Sequence, residues 1–139
     1  MTNFSNEVSK VRREMAKKSL FAFAKIYLPD HVNHISAKEH HEIYRELEDA
    51  LVHRGKKIAV AGPRGLGKTE LVNMVYVLYC IVFQVEHFVV LLSATSAQAS
   101  MFLQNIRQQL EQNKKLLEDF PKLTGPRPSP WTKTEIQTP

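Results

Sequence analysis

Apolar residues recur at helical spacing along the first third of the chain. In residues 5–28 they lie three to five positions apart, and Pro29 supplies the stop. A second segment begins at Ser36, the first residue of a capping-box sequence that Glu39 completes. Its apolar positions are Ile43, Leu47 and Leu51. The pattern predicts two helices in an N-terminal helical segment, residues 1–55.

The period of the pattern changes after residue 56. Ile58–Ala61 is a short apolar run with two β-branched residues, which is typical of a buried strand. Glu70–Phe83 is largely apolar and contains no Gly or Pro, so it predicts a buried helix. Phe88–Leu92 is a continuous apolar run, typical of a strand buried on both faces of a parallel sheet. Strand, helix and strand in this order predict a right-handed crossover and an α/β fold with a parallel sheet.

A further helix is predicted over residues 96–118, which carry an apolar seam. Thr95 and Gln98 have the spacing of a capping box at its start. Thr95 and Ser93 would also lie at the sheet edge where ligands bind in such folds, and both roles stay open. With this helix the pattern predicts a βαβα core over residues 56–120.

The composition changes at the end of the chain. From Pro121 onward the chain is rich in proline, which is typical of a stiff connector. Trp131–Thr138 has the pattern of the start of another strand. We therefore predict that residues 121–139 form a connector that leads into a further strand.

One motif stands between the first predicted strand and the helix that follows it. The eight residues match G-x-x-x-x-G-K-[S/T] at every position. They are Gly62, Pro63, Arg64, Gly65, Leu66, Gly67, Lys68 and Thr69. A strand before this motif and a helix after it form the context of a phosphate-binding loop, or P-loop. The motif predicts a P-loop NTPase that binds ATP with Mg²⁺, with all eight residues as candidate binding residues.

The chemistry of triphosphate binding explains these residue types. Gly62, Gly65 and Gly67 would let the backbone adopt positive φ and bring its N–H groups close to the phosphates. The first turn of the helix offers further N–H donors to an anion. Lys68 would reach the β- and γ-phosphates, and the Thr69 hydroxyl would be a ligand of Mg²⁺. The alternative is a chance glycine-rich turn, which the flanking pattern disfavours.

Composition and charge narrow the class of protein. The chain has 139 residues, of which 43% are hydrophobic and 24% charged, as expected of a single globular domain. Its net charge of +5 permits a nucleic-acid partner without requiring one. Cys80 is the sole cysteine, which excludes a disulfide framework. The longest apolar run, Met74–Phe83, is far shorter than the roughly 20 residues that span a bilayer. We expect a cytoplasmic protein without a secretory leader or membrane span.

The histidines do not predict a metal site. His40 and His41 are adjacent, so on a helix they would point about 100° apart. His31 and His34 precede them in a predicted loop, but no carboxylate or thiolate completes a recognisable ligand spacing.

A second acidic element is missing from the pattern. A P-loop ATPase usually has an apolar strand ending in Asp, which holds Mg²⁺. In this chain the run after the loop ends in Ser93, and Glu118-Asp119 ends a helical pattern. Two predicted strands are also too few for a stable parallel sheet. The predicted sheet is therefore incomplete, and we expect the chain to be the front part of a larger ATPase.

The order of these motifs resembles the N-terminal part of the large terminase subunit, the DNA-packaging ATPase of tailed bacteriophages and related prophages. The resemblance covers roughly residues 21–139. Its elements are Tyr27-Leu28-Pro29, His41-Glu42-Ile43-Tyr44, the loop with Ala61 before it, Leu92-Ser93-Ala94-Thr95 with Gln98-Ala99, and Leu116 to Pro121. An arginine at position 64 of the loop, combined with the Ser-Ala-Thr sequence, is its most particular feature.

The resemblance implies a motor in the cytoplasm of the host cell. Large terminases couple ATP hydrolysis to the passage of double-stranded DNA through a portal protein into a procapsid. The family also implies a small terminase subunit as partner, a possible ring oligomer on the portal, and a C-terminal nuclease. Arg64 would match the loop arginine that acts with Lys68 near the γ-phosphate, where a guanidinium stabilises charge on the transferring phosphoryl group.

The chain departs from the family pattern, because it lacks the acidic strand and the nuclease. We therefore expect it to bind ATP and to hydrolyse it poorly on its own. Two alternatives stay open: a DNA helicase-type P-loop ATPase, which has a similar Ser/Thr-rich strand end, and an inactive truncated nucleotide-binding remnant.

Overall fold

The computed structural model describes residues 2–32, 38–123, 132 and 134–137. Within these residues the protein is all-helical: 67% of them are helical, 1% lie in a strand, and there is no sheet. The predicted α/β fold of a P-loop NTPase with a parallel sheet is therefore wrong.

Helices of very different length follow one another along the described part of the chain. They are α1 (Thr2–Lys18), α2 (Leu20–Tyr27), α3 (Pro29–Val32), α4 (Lys38–Val52), α5 (Lys68–Glu70), a π-helical segment (Leu71–Tyr76), α6 (Val77–Val82), α7 (Ser96–Gln112) and α8 (Lys114–Asp119). Because α5, the π-helical segment and α6 are continuous, we refer to them together as helix 68–82. Its position confirms the predicted helix after the glycine-rich motif.

The single helix predicted over residues 5–28 is broken at Ser19. This residue is extended (φ −156°, ψ 150°), and its hydroxyl accepts a hydrogen bond from the Ala22 N–H at 3.0 Å. The Leu20 N–H, which would otherwise lack a partner at the start of α2, donates to the Glu48 carboxylate of α4 at 2.6 Å. The break therefore turns α2 toward α4, and α4 supplies part of its cap.

The second predicted amphipathic helix is confirmed as α4. Its buried side chains are His40, Ile43, Tyr44 and Leu47, which follow the predicted face and extend it to a histidine. The capping-box residue Ser36 lies outside the described residues.

The long helix predicted over residues 96–118 begins as expected and then breaks. The Thr95 side chain accepts a hydrogen bond from the Gln98 N–H at 3.2 Å, which confirms the cap at its start. Asn113 interrupts the helix with ψ of 107°, and its side chain caps α8 by accepting from the Leu116 N–H. The same side chain donates to the Tyr27 carbonyl at 2.7 Å. A polar residue in the apolar seam thus joins α7 and α8 to α2.

The core lies where α2, helix 68–82 and the C-terminal helices meet. Its largest fully buried apolar side chains are Tyr27, Phe23, Leu20, Leu28, Leu71, Leu78, Ile106, Leu110, Leu116, Val32 and Val75. The Phe23 ring contacts the rings of Tyr27, Tyr79 and Phe83, with centroids 5.2 to 5.9 Å apart. This aromatic cluster joins α2 to the end of helix 68–82.

A buried carboxylate fastens α8 to the N-terminal helices. Asp119 is 1% exposed and accepts hydrogen bonds from the Arg12 guanidinium at 2.6 Å and the Tyr27 hydroxyl at 2.7 Å. Arg13 donates to its main-chain carbonyl at 2.9 Å. Burial, followed by the hydrogen bond to Asp119, raises the pKa of Tyr27 well above its usual range.

The two predicted strands are the reason that the fold prediction is wrong. Neither Ile58–Ala61 nor Phe88–Leu92 belongs to a sheet, and the latter run leaves Phe88 84% and Leu92 86% exposed. A buried strand needs partners for its N–H and C=O groups along both edges. The described residues provide no such ladder for either run. An ion pair between Arg54 and Glu86 (3.2 Å) joins the segment that precedes the first run to the segment that precedes the second.

Little of the predicted C-terminal connector and strand can be compared with the structure. The proline-rich connector from residue 124 to residue 131 lies outside the described residues. Within the predicted strand, Ile136 is an isolated bridge residue, and the Thr132 N–H donates to the Glu135 carbonyl at 2.8 Å. In the described part of the chain, no helix has both the length and the apolar character to cross a membrane.

Candidate phosphate-binding loop

The glycine-rich motif forms a loop that leads from an extended segment into helix 68–82. Gly65 and Gly67 have φ of +84° and +70°, in the left-handed region that favours glycine. Gly67 is the N-cap of the helix, and its carbonyl accepts the first helical hydrogen bond from the Leu71 N–H at 3.0 Å. Two of the three motif glycines are thus required by the backbone conformation.

The third glycine packs closely against the side chain of Leu66. A Cβ atom at Gly62 would lie 2.7 Å from Cδ2 of Leu66, closer than carbon atoms approach in folded proteins. Leu66 is half-buried and packs against the edge of the core. The first and fifth residues of the motif therefore touch across the loop, and a side chain at position 62 would require Leu66 to move.

Lys68 lies across the mouth of the loop. Its ammonium donates to the carbonyls of Gly62 and Pro63, each at 2.7 Å. An ammonium has three N–H donors. Contacts with the described residues use two of them, so one is left for a further acceptor. The side chain thus turns back over the loop and holds a positive charge beside its main chain.

Arg64 and Thr69 are exposed on the loop and at the start of the helix. The Arg64 guanidinium forms neither a hydrogen bond nor an ion pair with another described residue, and the residue is exposed. The Thr69 hydroxyl is in the first helical turn, beside the N–H groups that have no intrahelical partner. Two cationic side chains, a hydroxyl and the N–H groups of the first helical turn therefore belong to one short stretch of the chain.

Helix 68–82 fixes the loop to the core. Leu71, Val75 and Leu78 are 0% exposed and recur along its buried face. The segment Leu71–Tyr76 has π-helical hydrogen bonding, which occurs mostly in short stretches and often beside functional sites. The helix that begins at Lys68 is thus anchored in the core by its buried face, whereas the loop before it is exposed.

The first turn of this helix contacts α3, which in turn contacts α7. Nδ1 of His31 lies 2.5 Å from the Glu70 carboxylate, and Nε2 of His31 lies 3.3 Å from the Gln109 amide nitrogen. If the Gln109 amide donates to Nε2, Nδ1 carries the proton and donates to Glu70. Both members of the His31–Glu70 pair are about one third exposed. The contact extends from the residue after Thr69 to two distant helices.

The middle of the loop contacts α4. Nε2 of His40 lies 2.5 Å from the main-chain carbonyl of Leu66, and His40 is 5% exposed. A carbonyl only accepts, so Nε2 is the protonated ring nitrogen and donates. In the described part of the chain, Nδ1 of the same ring is buried without a hydrogen-bond partner. The adjacent His41 is exposed and contacts the Phe21 ring instead.

The titratable groups farther along helix 68–82 are held neutral. Burial raises the pKa of the Cys80 thiol to about 11 and that of the Tyr76 hydroxyl to about 12. Cys80 is 0% exposed, as expected for a small buried side chain, and its protonated thiol is a poor nucleophile. Neither side chain is therefore a candidate for chemistry, and the candidate residues remain those of the loop 62–69.

The structure brings the eight predicted residues together in one loop but adds no cluster of metal ligands. No group of three or more His, Cys, Asp or Glu side chains in the described ranges is placed to hold a metal ion. Thr69 is the predicted Mg²⁺ ligand, and a hydroxyl next to triphosphate oxygens suits that ion. Glu118 and Asp119 pair with Arg12 of α1.

Sequence reasoning missed the two histidines that contact the loop and its helix. It set His31 and His40 aside as metal ligands and predicted no other role for them, whereas the structure pairs them with Glu70 and with the Leu66 carbonyl. The sequence does carry a signal that His40 is buried, because it lies three positions before Ile43 and seven before Leu47 on the apolar face of the predicted helix. The sequence carries no signal for the partner, because the contact spans 26 residues.

No protein-family model, curated protein or solved structure matches this chain. An assignment of function therefore depends on the residues and the geometry of this chain.

Proposed function

We propose that the loop 62–69 binds the phosphates of a nucleoside triphosphate, ATP, together with Mg²⁺. The observation that carries the proposal is the position of the Lys68 ammonium, 2.7 Å from the carbonyls of Gly62 and Pro63 at the loop mouth. A cation held there by neutral acceptors gains a charge-assisted bond when a phosphate oxygen approaches.

The other residues of the loop fit the same ligand. The positive φ of Gly65 and Gly67 lets main-chain N–H groups approach an anion without a side chain in the way. The Thr69 hydroxyl would contribute to Mg²⁺ coordination, and the Arg64 guanidinium would reach outer phosphate oxygens. Gly62 has no side chain, and the Leu66 side chain packs beside it, so these two residues would shape the loop rather than contact phosphate through a side chain.

We further propose that this unit serves an ATPase of the large-terminase type, a motor that packages double-stranded DNA in the host cytoplasm. The support is the order of motifs along the chain, from Tyr27-Leu28-Pro29 through the loop to Ser93-Ala94-Thr95. The portal protein, the small terminase subunit and a ring oligomer enter as partners on the same ground. The all-helical fold removes the parallel sheet as an argument, so the loop and the motif order carry this proposal.

Substitution of the loop lysine tests ATP binding. We expect Lys68→Ala to weaken binding of Mg·ATP by about 10- to 100-fold, because a charge-assisted hydrogen bond to phosphate contributes roughly 1.5–3 kcal/mol and each 1.4 kcal/mol is tenfold. Isothermal titration calorimetry on the wild-type chain and the variant measures this ratio. The control is Lys57→Ala, which removes an exposed lysine outside the motif and should leave the affinity within about twofold. Equal affinities of Lys68→Ala and wild type would overturn the assignment.

A further inference from the structure

We propose that His40 of α4 is a positioning residue for the phosphate-binding loop. The inference rests on the proposed function and adds a residue outside the motif to the site. Its basis is the hydrogen bond from Nε2 of His40 to the Leu66 carbonyl, 2.5 Å long, which joins the N-terminal helical segment to the middle of the loop. The motif glycines give the main chain of the loop more conformational freedom than other residues would. A hydrogen bond from a residue outside the loop therefore has a specific role in restricting its conformation.

The location of His40 makes the hydrogen bond persistent. The side chain is 5% exposed and shares the buried face of α4 with Ile43 and Leu47. Water has little access to the ring, and a bond shielded from water is stronger than an exposed one. The Leu66 carbonyl fixes the tautomer, because it requires the proton on Nε2.

Leu66 transmits this restraint to the rest of the loop. Its carbonyl is held by His40, and its Cδ2 atom occupies the space beside Gly62 where a Cβ would lie. The Gly62 carbonyl in turn accepts from the Lys68 ammonium. The contacts therefore form a continuous path from α4 to the cation that would bind phosphate.

The same hydrogen bond orients a main-chain donor. The carbonyl of Leu66 and the N–H of Gly67 belong to one planar trans peptide, so they point in opposite directions. With the carbonyl directed to His40, the Gly67 N–H points away from α4. A fixed donor loses less entropy when an anion binds, and this is the gain that preorganisation gives. His40 thus acts through the loop and touches no phosphate itself.

Four variants separate this role from a merely structural one. His40→Leu and His40→Asn remove the donor at the Nε2 position, the first with an apolar side chain and the second with a shorter amide. His40→Gln places an amide N–H near that position. His41→Leu is the matched control on the same helix, because His41 is exposed and contacts Phe21 rather than the loop. Urea denaturation of each variant records stability separately from binding.

We expect His40→Leu and His40→Asn to bind Mg·ATP about tenfold more weakly than wild type, as loss of one buried hydrogen bond implies. His40→Gln and His41→Leu should stay within about threefold. Rescue by glutamine at equal stability is the result that a purely structural role would not give. If His40→Leu does not fold, the comparison of His40→Asn with His40→Gln decides. Wild-type affinity in the asparagine variant would overturn the inference while leaving the proposed function intact.

Hydrogen exchange of the loop gives a readout that does not depend on nucleotide. We expect the amides of residues 62–69 to exchange faster in His40→Asn than in His40→Gln, with no nucleotide present. If the wild-type chain fails to bind ATP, the proposed function fails, and this difference in exchange still supports the positioning by His40. Equal exchange in the two variants overturns it.

Discussion

Two phenylalanines show how differently two regions of this molecule are built. Phe23 is 0% exposed in the helical core, whereas Phe88 is 84% exposed in an extended run. Both residues belong to strongly apolar segments, and the sequence alone predicts burial for each. The core side chains pack against one another, whereas in the run Phe88–Leu92 only Leu91 packs against the core and the other four side chains are exposed. The proposed binding loop lies at the boundary, with one end on an extended run and the other on a core helix.

The difference follows from where each element finds its hydrogen bonds. A helix satisfies its backbone groups internally and needs only a partner for one apolar face. An extended run needs neighbouring strands for every N–H and C=O group before its side chains can be buried. Ile58–Ala61 and Phe88–Leu92 have no ladder of neighbouring strands among the described residues. Val60 and Leu91 still pack against the edge of the core, but most of Phe88–Leu92 stays exposed.

The largest effect expected is the loss of a core aromatic. We predict that Phe23→Ala lowers the free energy of unfolding by about 3–5 kcal/mol, because it leaves a cavity among Tyr27, Tyr79 and Phe83. The same substitution at Phe88 should change it by less than about 0.5 kcal/mol, since the side chain is almost fully exposed. Urea denaturation followed by circular dichroism measures both values.

This pair of substitutions can break the comparison as well as sharpen it. Similar losses for the two variants would mean that Phe88 is buried in solution. A partner chain that covers the run would produce that result, and light scattering on the wild-type chain would detect such an association. Losses that differ as predicted would locate the stability of the molecule in its helices.

The helices were largely predictable from the sequence, and the lack of a sheet among the described residues was not. Repeats of three and four positions mark one apolar face, and the π-helical segment and the break at Asn113 changed only details within helices whose existence was clear. A short apolar run such as Ile58–Ala61 shows only that the segment is apolar and does not determine its secondary structure. Whether it forms a strand depends on neighbours that lie elsewhere in the chain, and local pattern contains no information about them.

The next effect concerns the buried carboxylate that joins α8 to α1. We predict that Asp119→Asn lowers the free energy of unfolding by about 2–4 kcal/mol, because it leaves the Arg12 guanidinium opposite a neutral amide. Glu118→Gln is the matched control. Glu118 also pairs with Arg12, but its side chain is 61% exposed, so the loss should be under about 1 kcal/mol. Equal losses would show that burial of Asp119 does not set the strength of the pair.

The candidate site was predictable as a motif and not as a three-dimensional arrangement. Spacing alone predicts the glycines, Lys68 and Thr69 as candidate site residues, because the motif requires a particular residue type at each of these positions. The Asp119 cluster and the two histidine contacts join positions 26 to 107 residues apart. Such contacts depend on how helices pack, so they have no signature in a single sequence.

The smallest effect expected lies where the two regions meet, at the His31–Glu70 pair. This pair connects α3 to the first turn of helix 68–82, and both side chains are about one third exposed. Water and salt screen such a pair, so we predict that Glu70→Gln lowers the free energy of unfolding by only about 0.5–1 kcal/mol. A double-mutant cycle with His31→Gln, measured in low and high salt, isolates the coupling between the two side chains. A coupling above about 2 kcal/mol would contradict the prediction, and it would place the start of this helix, with Lys68 and Thr69, in the rigid core rather than at its boundary.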